Sequence, residues 1–293
     1  MIEAQPFSIT LRATLVFAAL AIFLCWEHLR PLRKVTQPKF RRVVINLGIA
    51  GVGAIALRLV FFPVVLFISD WTAHARFGIL PILDLHWALE ALIAIVLLDY
   101  TLYIWHWMNH KIQFLWRFHN AHHVDLDLDV STASRFHFGE LILSTGLRSG
   151  QVVIFGINPF VLILFETLIT TAAQFHHSNI RLPFRLERIL NKVIVTPRIH
   201  GIHHSIVQGE TDSNFSTIFS FWDHIHRSIR LNIPQQSITI GVAAYRNSKE
   251  LGFFKSLLLP FGRPRAWRLP DGSVPGREPL REIEITPPRR LVE

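Results

Sequence analysis

Apolar residues fall in long runs separated by short polar, often basic, stretches. Residues 8–26, the run from Val43 to Ser69, and residues 85–105 are each long enough for a helix to cross roughly 30 Å of hydrocarbon. Two shorter runs, 141–157 and 159–175, meet at Asn158-Pro159, a turn signal that predicts a membrane hairpin. The pattern predicts an all-α integral membrane protein with about five membrane-crossing helices. The first run reads as a mature helix: little positive charge precedes it and no small-residue cleavage site follows it. Beyond the hairpin, Leu186, Ile189, Leu190, Val193 and Ile194 recur at helical spacing with Arg185, Arg188 and Lys192 between them. That is an amphipathic helix, suited either to a lipid surface or to a soluble core.

Composition agrees. Half of the 293 residues are apolar and 17% are charged, which excludes a disordered chain. A net charge of +9 could suggest nucleic acid, but a mean hydropathy of +0.33 is too apolar for a soluble DNA binder, so the partner is a membrane. The single cysteine can neither close a disulfide within the chain nor build a Cys-rich metal site. Between the first two spans lie Arg30, Arg33, Lys34, Lys39, Arg41 and Arg42 against Glu27, which predicts that this loop is cytoplasmic. Counting crossings from there puts every histidine-rich stretch on the same side. Seven of the sixteen prolines follow Leu259, which argues against regular structure in the tail.

The histidines carry the candidate chemistry. Eleven of sixteen lie between His106 and His204. They form His106-x-x-x-His110, His119-x-x-His122-His123, a single His137, the pair His176-His177, and His200-x-x-His203-His204. Positions i, i+3 and i+4 share a helix face, so each box can aim two or three imidazoles at one point, a spacing suited to metal ligation. About ten imidazoles are too many for one ion, so the expected site is dinuclear. Imidazole suits zinc, copper, iron and nickel alike. A site beside lipid-embedded helices favours iron, as an oxidant for unactivated C–H bonds.

Charges inside the spans are the other signal. Arg148 and Glu166 lie at similar depth on the two arms of the hairpin, where an unpaired charge costs on the order of 3 kcal/mol, so they are expected to pair or to face a polar cavity. Glu166 is also about 20° around a continuous helix from His177 and could line a route to the metals. Asp99, seven residues before His106, is expected to orient an imidazole, with capping or an intrahelical pair as the alternative.

From Asp99 to Asp223 the chain resembles the membrane fatty acid hydroxylase and sterol desaturase superfamily. The likeness rests on DYTLYIWHWMNH, LWRFHNAHHVD, STASRFHFGE, QFHHSNI, TPRIHGIHHS and DSNF followed by FWDHIH, in the family's order. It implies a histidine-ligated di-iron centre that uses O2 to hydroxylate or desaturate a lipid such as a sterol or fatty acyl chain. By position, His106, His110, His119, His122, His123, His200, His203 and His204 resemble metal ligands, with His137 and His177 as additional ones. His176 is the partner of that pair expected to face away. Asn214 and Asp223 match family positions, with a turn role as the alternative for each. Phe138, Ser216 and His226-Arg227-Ser228 depart from the common pattern and suggest a bacterial-type subgroup, which implies a bacterial inner membrane.

The expected organisation is 1–84 for N-terminal transmembrane helices and the basic loop, 85–230 for the catalytic domain, and 231–293 for a cytoplasmic tail. No side chain beyond the metal centre is expected to act as general acid or base. With no haem or dinucleotide motif in the sequence, electrons are expected from a separate redox protein. Zinc is an expected substitute for iron in purified protein. Two other classes are consistent with parts of the pattern: a membrane haem-binding electron-transfer protein, which leaves the repeated boxes unexplained, and a non-catalytic lipid-binding homologue, for which decayed boxes would be expected.

Overall fold

The computed structural model describes residues 9–277, and among these the chain is helical, with only isolated antiparallel bridges such as Pro31 to Ile180. Helix α1 (Ile9–Leu29) is followed by α2 (Lys39–Ala56), a π turn (Leu57–Phe61) and α3 (Phe62–Ala75), which run on as one rod. The π turn has a local cause. Pro63 has no N–H to donate, and the Phe62 amide reaches five residues back to the Leu57 carbonyl. At 1.5 Å per residue the rod is roughly 55 Å long, well beyond the hydrocarbon thickness, so one end must project. The projecting end is the start of α2, where Arg42 and Asn46 are buried among polar groups.

A one-turn α4 (Ile79–Ile82) leads to α5 (Trp87–Lys111), and α6 (Gln113–His123) doubles back from it after Ile112, the one extended residue between them. Helices α7 (Phe138–Phe155) and α8 (Pro159–His177) form the expected hairpin; Asn158 caps α8 by accepting from the Val161 amide. Among the described residues, four helical stretches are long and apolar enough to cross a membrane: Thr10–Leu29, Lys39–Ile82, Trp87–Lys111 and Pro159–His177. About five were expected; the remaining helix, α7, falls outside this set by composition. This helix belongs to the bundle, but Glu140, Arg148 and Gln151 are buried along it and reduce its apolar character.

Helix α1 packs on α8, and α7 on α3. At the end away from the histidines, Phe61, Val65, Leu98, Val152, Leu162 and Phe165 form the apolar core. There the two turns touch backbone to backbone: Gly78 (φ +113°) and Gly156 (φ +74°) lie so close that a Cβ on Gly78 would sit 2.3 Å from the Gly156 nitrogen. Only glycine satisfies both the left-handed backbone and that contact.

At the opposite end short helices build a cap: α9 (Phe184–Leu190), α10 (Pro197–His203), α11 (Gln208–Thr211), α12 (Phe221–Ile225) and α13 (Phe253–Leu258). Its anchor is ionic. The Arg42 guanidinium donates to both Asp125 oxygens at 2.8 Å and to Asp129 at 2.7 Å, while Asn46 donates to Asp125 at 2.9 Å and accepts from Arg135 at 2.8 Å. Burial alone would push the Asp125 carboxyl up, but Arg42 beside it holds it well below the ordinary carboxylate range. This network ties α2 to the segment that leaves α6. Residues 231–277 are not a loose tail: Gln235 accepts from Arg33, Trp267 donates to the Ile206 carbonyl, and Arg277 pairs with Glu210. The remainder of the Pro-rich stretch lies outside the described residues. Helix α9 leaves Phe184, Leu186 and Ile189 exposed, as an amphipathic surface helix does.

Candidate metal centre

The antiparallel bundle brings the C-terminal ends of α5 and α8 to the cap, and with them His106, His110 and His177. The turn at Ile112 folds α6 back so that the His119 ring lies 5.0 Å from His106, and α10 supplies the last box from the cap side. Nine of the ten imidazoles expected as ligands converge in two groups that could each hold a metal ion. One consists of His106, His110, His119, His123 and His203, the other of His122, His177, His200 and His204. Within each, one nitrogen per ring lies within 4.8 Å of all the others.

Each His-x-x-His-His box is divided between the groups, where the sequence alone suggested one target per box. His119 and His123 enter the first group and His122 the second; His200 and His204 enter the second and His203 the first. The cause is helical geometry: i and i+4 are about 40° apart, whereas i+3 and i+4 diverge by about 100°. The two boxes therefore interlock.

The separations fit a shared cation. Nitrogens bound about 2.1 Å from one ion at roughly 90–109° lie about 3.0–3.4 Å apart. Nε2 of His123 is 3.2 Å from that of His119. In the second group the His177 nitrogen lies 3.0 Å from His122 and 2.9 Å from His200, and His204 lies 3.1 Å from His200. Among the described residues the buried Nε2 atoms of His106, His110 and His203 have no hydrogen-bond partner, a costly state unless something binds there. Burial first, then neighbouring imidazoles, push His122, His123, His200 and His204 well below the ordinary histidine range, and burial lowers His203 to about 3. All five are thus neutral near pH 7, the form that binds metals.

The outer nitrogens are treated unequally. In the first group His106 Nδ1 donates to the Phe215 carbonyl at 2.7 Å, His203 Nδ1 to the Ser213 carbonyl at 2.7 Å, and His119 Nδ1 to Glu140 at 2.8 Å. Such acceptors fix the tautomer that leaves Nε2 with a free lone pair. In the second group only His177 has one, the Ala173 carbonyl at 2.8 Å, and Nδ1 of His122, His200 and His204 is unpartnered.

Glu140 is the residue that sequence reasoning missed. A carboxylate among apolar residues of α7 is the same kind of signal that drew attention to Arg148 and Glu166. His137 is not brought to either group. It caps α7, its Nδ1 accepting from the Gly139 amide at 3.0 Å and its Nε2 donating to the Leu257 carbonyl at 2.9 Å, which leaves no lone pair for a metal. His176 also lies outside both groups, against the His200 ring at 4.1 Å and hydrogen-bonded to the Thr217 backbone.

Asp99, expected to orient an imidazole directly, does something else. Its carboxylate accepts from the Ile218 and Phe219 amides at 3.2 and 3.1 Å and from the Trp222 indole at 2.8 Å. Two turns of helix separate it from His106, too far for contact. Asp223 accepts from the Phe215 and Ser216 amides, both at 2.9 Å. Asn214, in the left-handed region at φ +56°, bonds the Ile199 and Arg230 backbone. All three hold the loop whose Ser213 and Phe215 carbonyls receive His203 and His106, so they act on the imidazoles through that loop.

A cavity of about 370 Å³, mostly apolar, runs from the histidines into the bundle. Arg148 and Glu166 line it, 2.9 Å apart but outside hydrogen-bond angles, with the guanidinium 4.8 Å from the Phe165 ring centroid.

These features agree with what the chain is similar to. The fatty acid hydroxylase family model matches residues 91–228, from the second turn of α5 to just beyond α12. That match covers 138 of the 293 residues. The chain is 29% identical over 177 residues to an ornithine lipid hydroxylase of Rhizobium tropici, covering 60% of this chain and 51% of that protein. It is 24% identical over 143 residues to a cholesterol 25-hydroxylase of Mus musculus, covering 48% and 47%, and 28% identical over 135 residues to a human alkylglycerol monooxygenase, covering 43% and 27%. Against the first two of these fatty acid hydroxylase relatives the chain spans about half their length. No solved structure matches it.

Proposed function

We propose that the protein is a membrane-bound, O2-dependent di-iron oxidoreductase that hydroxylates or desaturates a lipid. The observation that carries this reading is the meeting of two groups of buried imidazoles with a mostly apolar cavity of about 370 Å³. His106, His110, His119, His123 and His203 would hold one iron and His122, His177, His200 and His204 the other. When bound, the pair of irons supplies the oxidising power that a C–H bond requires and that no side chain here possesses.

The chain's own contributions are binding, orientation and exclusion. Glu140 and the Ser213 and Phe215 carbonyls keep Nδ1–H on three imidazoles, so that their Nε2 lone pairs point inward. The apolar wall formed by Leu57, Phe61 and Phe62 of the rod and by Leu102 and Trp105 of α5 takes up the lipid and keeps water from the reacting carbon. The Arg42 network holds α6, and with it three of the nine imidazoles, in register with the bundle. The basic loop supports a cytoplasmic location of the cap, in a bacterial inner membrane, where a separate redox protein delivers electrons. Names of relatives that act on ornithine lipid, cholesterol and alkylglycerol support a lipid as substrate and leave its class open to experiment.

The test is lipid analysis of cells expressing the protein or its His119→Ala variant under ¹⁸O2. The reading expects a lipid that has gained a hydroxyl or lost two hydrogens and that is absent with the variant. Identical lipid profiles in the two strains would overturn it.

A further inference from the structure

Two helical strips face one another across the cavity. Glu140, Ser144 and Arg148 recur at four-residue spacing along α7, as do Glu166, Thr170 and Gln174 along α8, which ends at His177. At 1.5 Å per residue, Arg148 lies roughly 12 Å below Glu140, and Glu166 roughly 16 Å below His177. An ion pair thus stands in a mostly apolar cavity that Arg12, Ser144 and Thr170 also line, roughly 12 to 16 Å by helix rise from the imidazoles.

The pair is not closed upon itself. Arg148 donates through Nη1 to Gln151 at 2.6 Å and approaches Glu166 Oε1 through Nε at a poor angle. Among the described residues its Nη2 and the second Glu166 oxygen have no protein partner, and both side chains line the cavity. The two charges of the pair cancel, so the pair itself gives no net attraction to a lone carboxylate or ammonium, whose transfer into apolar surroundings is costly; Arg12, on the same cavity wall, has its guanidinium 5.2 Å from the Phe62 ring centroid. It offers one N–H donor beside one carboxylate acceptor. The group that satisfies both at once is a hydroxyl, which donates its proton to Glu166 and accepts from Arg148.

We propose that Arg148 and Glu166 form a hydroxyl-binding subsite that holds the alcohol end of a lipid some 12 to 16 Å from the imidazoles by helix rise. The substrate class would be a long-chain or polycyclic lipid alcohol, entering tail first toward the histidines. This assignment rests on the reading of the cavity as a lipid site. It makes the pair a specificity determinant and gives it no part in the oxidation.

The test is binding to the purified full-length protein in detergent, measured by native mass spectrometry with hexadecan-1-ol, its methyl ether, hexadecane and palmitate. Hydrogen bonds to two ionised groups should favour the alcohol over hexadecane by about tenfold or more. The ether, which accepts but cannot donate, should lose most of that preference, and palmitate should bind no better than the alcohol. In Arg148→Met/Glu166→Leu, which leaves neither charge unpaired, the alcohol and alkane should bind alike, with metal content unchanged. Equal binding of alcohol and ether by the wild type, tighter binding of palmitate, or a preference that survives the double substitution would overturn the subsite. The alcohol and ether comparison needs no variant, so it stands even if the double variant fails to fold. Binding is read without turnover: a chain that prefers the alcohol but yields no oxidised lipid would refute the proposed oxidation alone.

Discussion

Replacing Glu140 tests whether a carboxylate three residues into α7 holds the first histidine group. Glu140 is only 5% exposed and accepts from His119 Nδ1 at 2.8 Å, so solvent screens the contact little. Hydrogen bonds to an ionised partner contribute about 1.5–3 kcal/mol, against roughly 1 kcal/mol between neutral groups. Glu140→Gln keeps an acceptor and should lose only the difference, weakening metal retention a few-fold to about tenfold. Glu140→Leu leaves the His119 N–H buried and unpaired, and removal of such an outer partner costs 10–100-fold in metal affinity. The assay is chelator competition on purified protein, with metal counted by mass spectrometry. Because His119 belongs only to the first group, one metal should become labile and the other should not. Equal loss of both metals, or retention of both by Glu140→Leu, would refute the role assigned to this carboxylate.

Removing Arg42 should be severe: Arg42→Met leaves Asp125 and Asp129 buried without their cation and is expected to cost about 3–5 kcal/mol, seen as a fall in Tm with or without metal. Acid should destabilise the metal-free protein. The cap histidines have folded pKa values below the ordinary 6.5, so their stabilising effect is complete above pH 6.5 and is lost as pH falls from there toward about 3, the value for His203. Each contributes a slope of up to about 1.4 kcal/mol per pH unit, measurable as Tm against pH; a flat profile between pH 6.5 and 4.5 would contradict their burial as neutral imidazoles. A reporter fused after His204 should read as cytoplasmic and one near Ala75 as external, and the opposite labelling at either point would break the assigned orientation.

Much of the bundle was legible because lipid-facing helices advertise themselves by length and apolarity, and the boxes because a repeated i, i+3, i+4 spacing has few structural uses. Three features were not. Whether His137 faces the metals depends on the Leu257 carbonyl, 120 residues away, taking its second nitrogen. The destination of Asp99 depends equally on a loop that returns from beyond residue 214, and no local spacing encodes that pairing. The division of each box between two groups follows from helical angles once two helices face each other, so it needs the tertiary arrangement. Asp125 and Asp129 could have been suspected from the alternating Asp-Leu-Asp-Leu-Asp that follows the second box, yet their partner Arg42 lies more than eighty residues upstream.

If two interlocked sets of histidines hold two metals, the metal-to-protein ratio of the purified full-length protein will reveal it. Wild type should carry close to two iron ions, or zinc in their place where zinc has displaced iron. His203→Ala should lower the count through the first group and His122→Ala through the second, each toward one, and the double variant toward none. A single tightly bound metal indifferent to both substitutions would contradict the account.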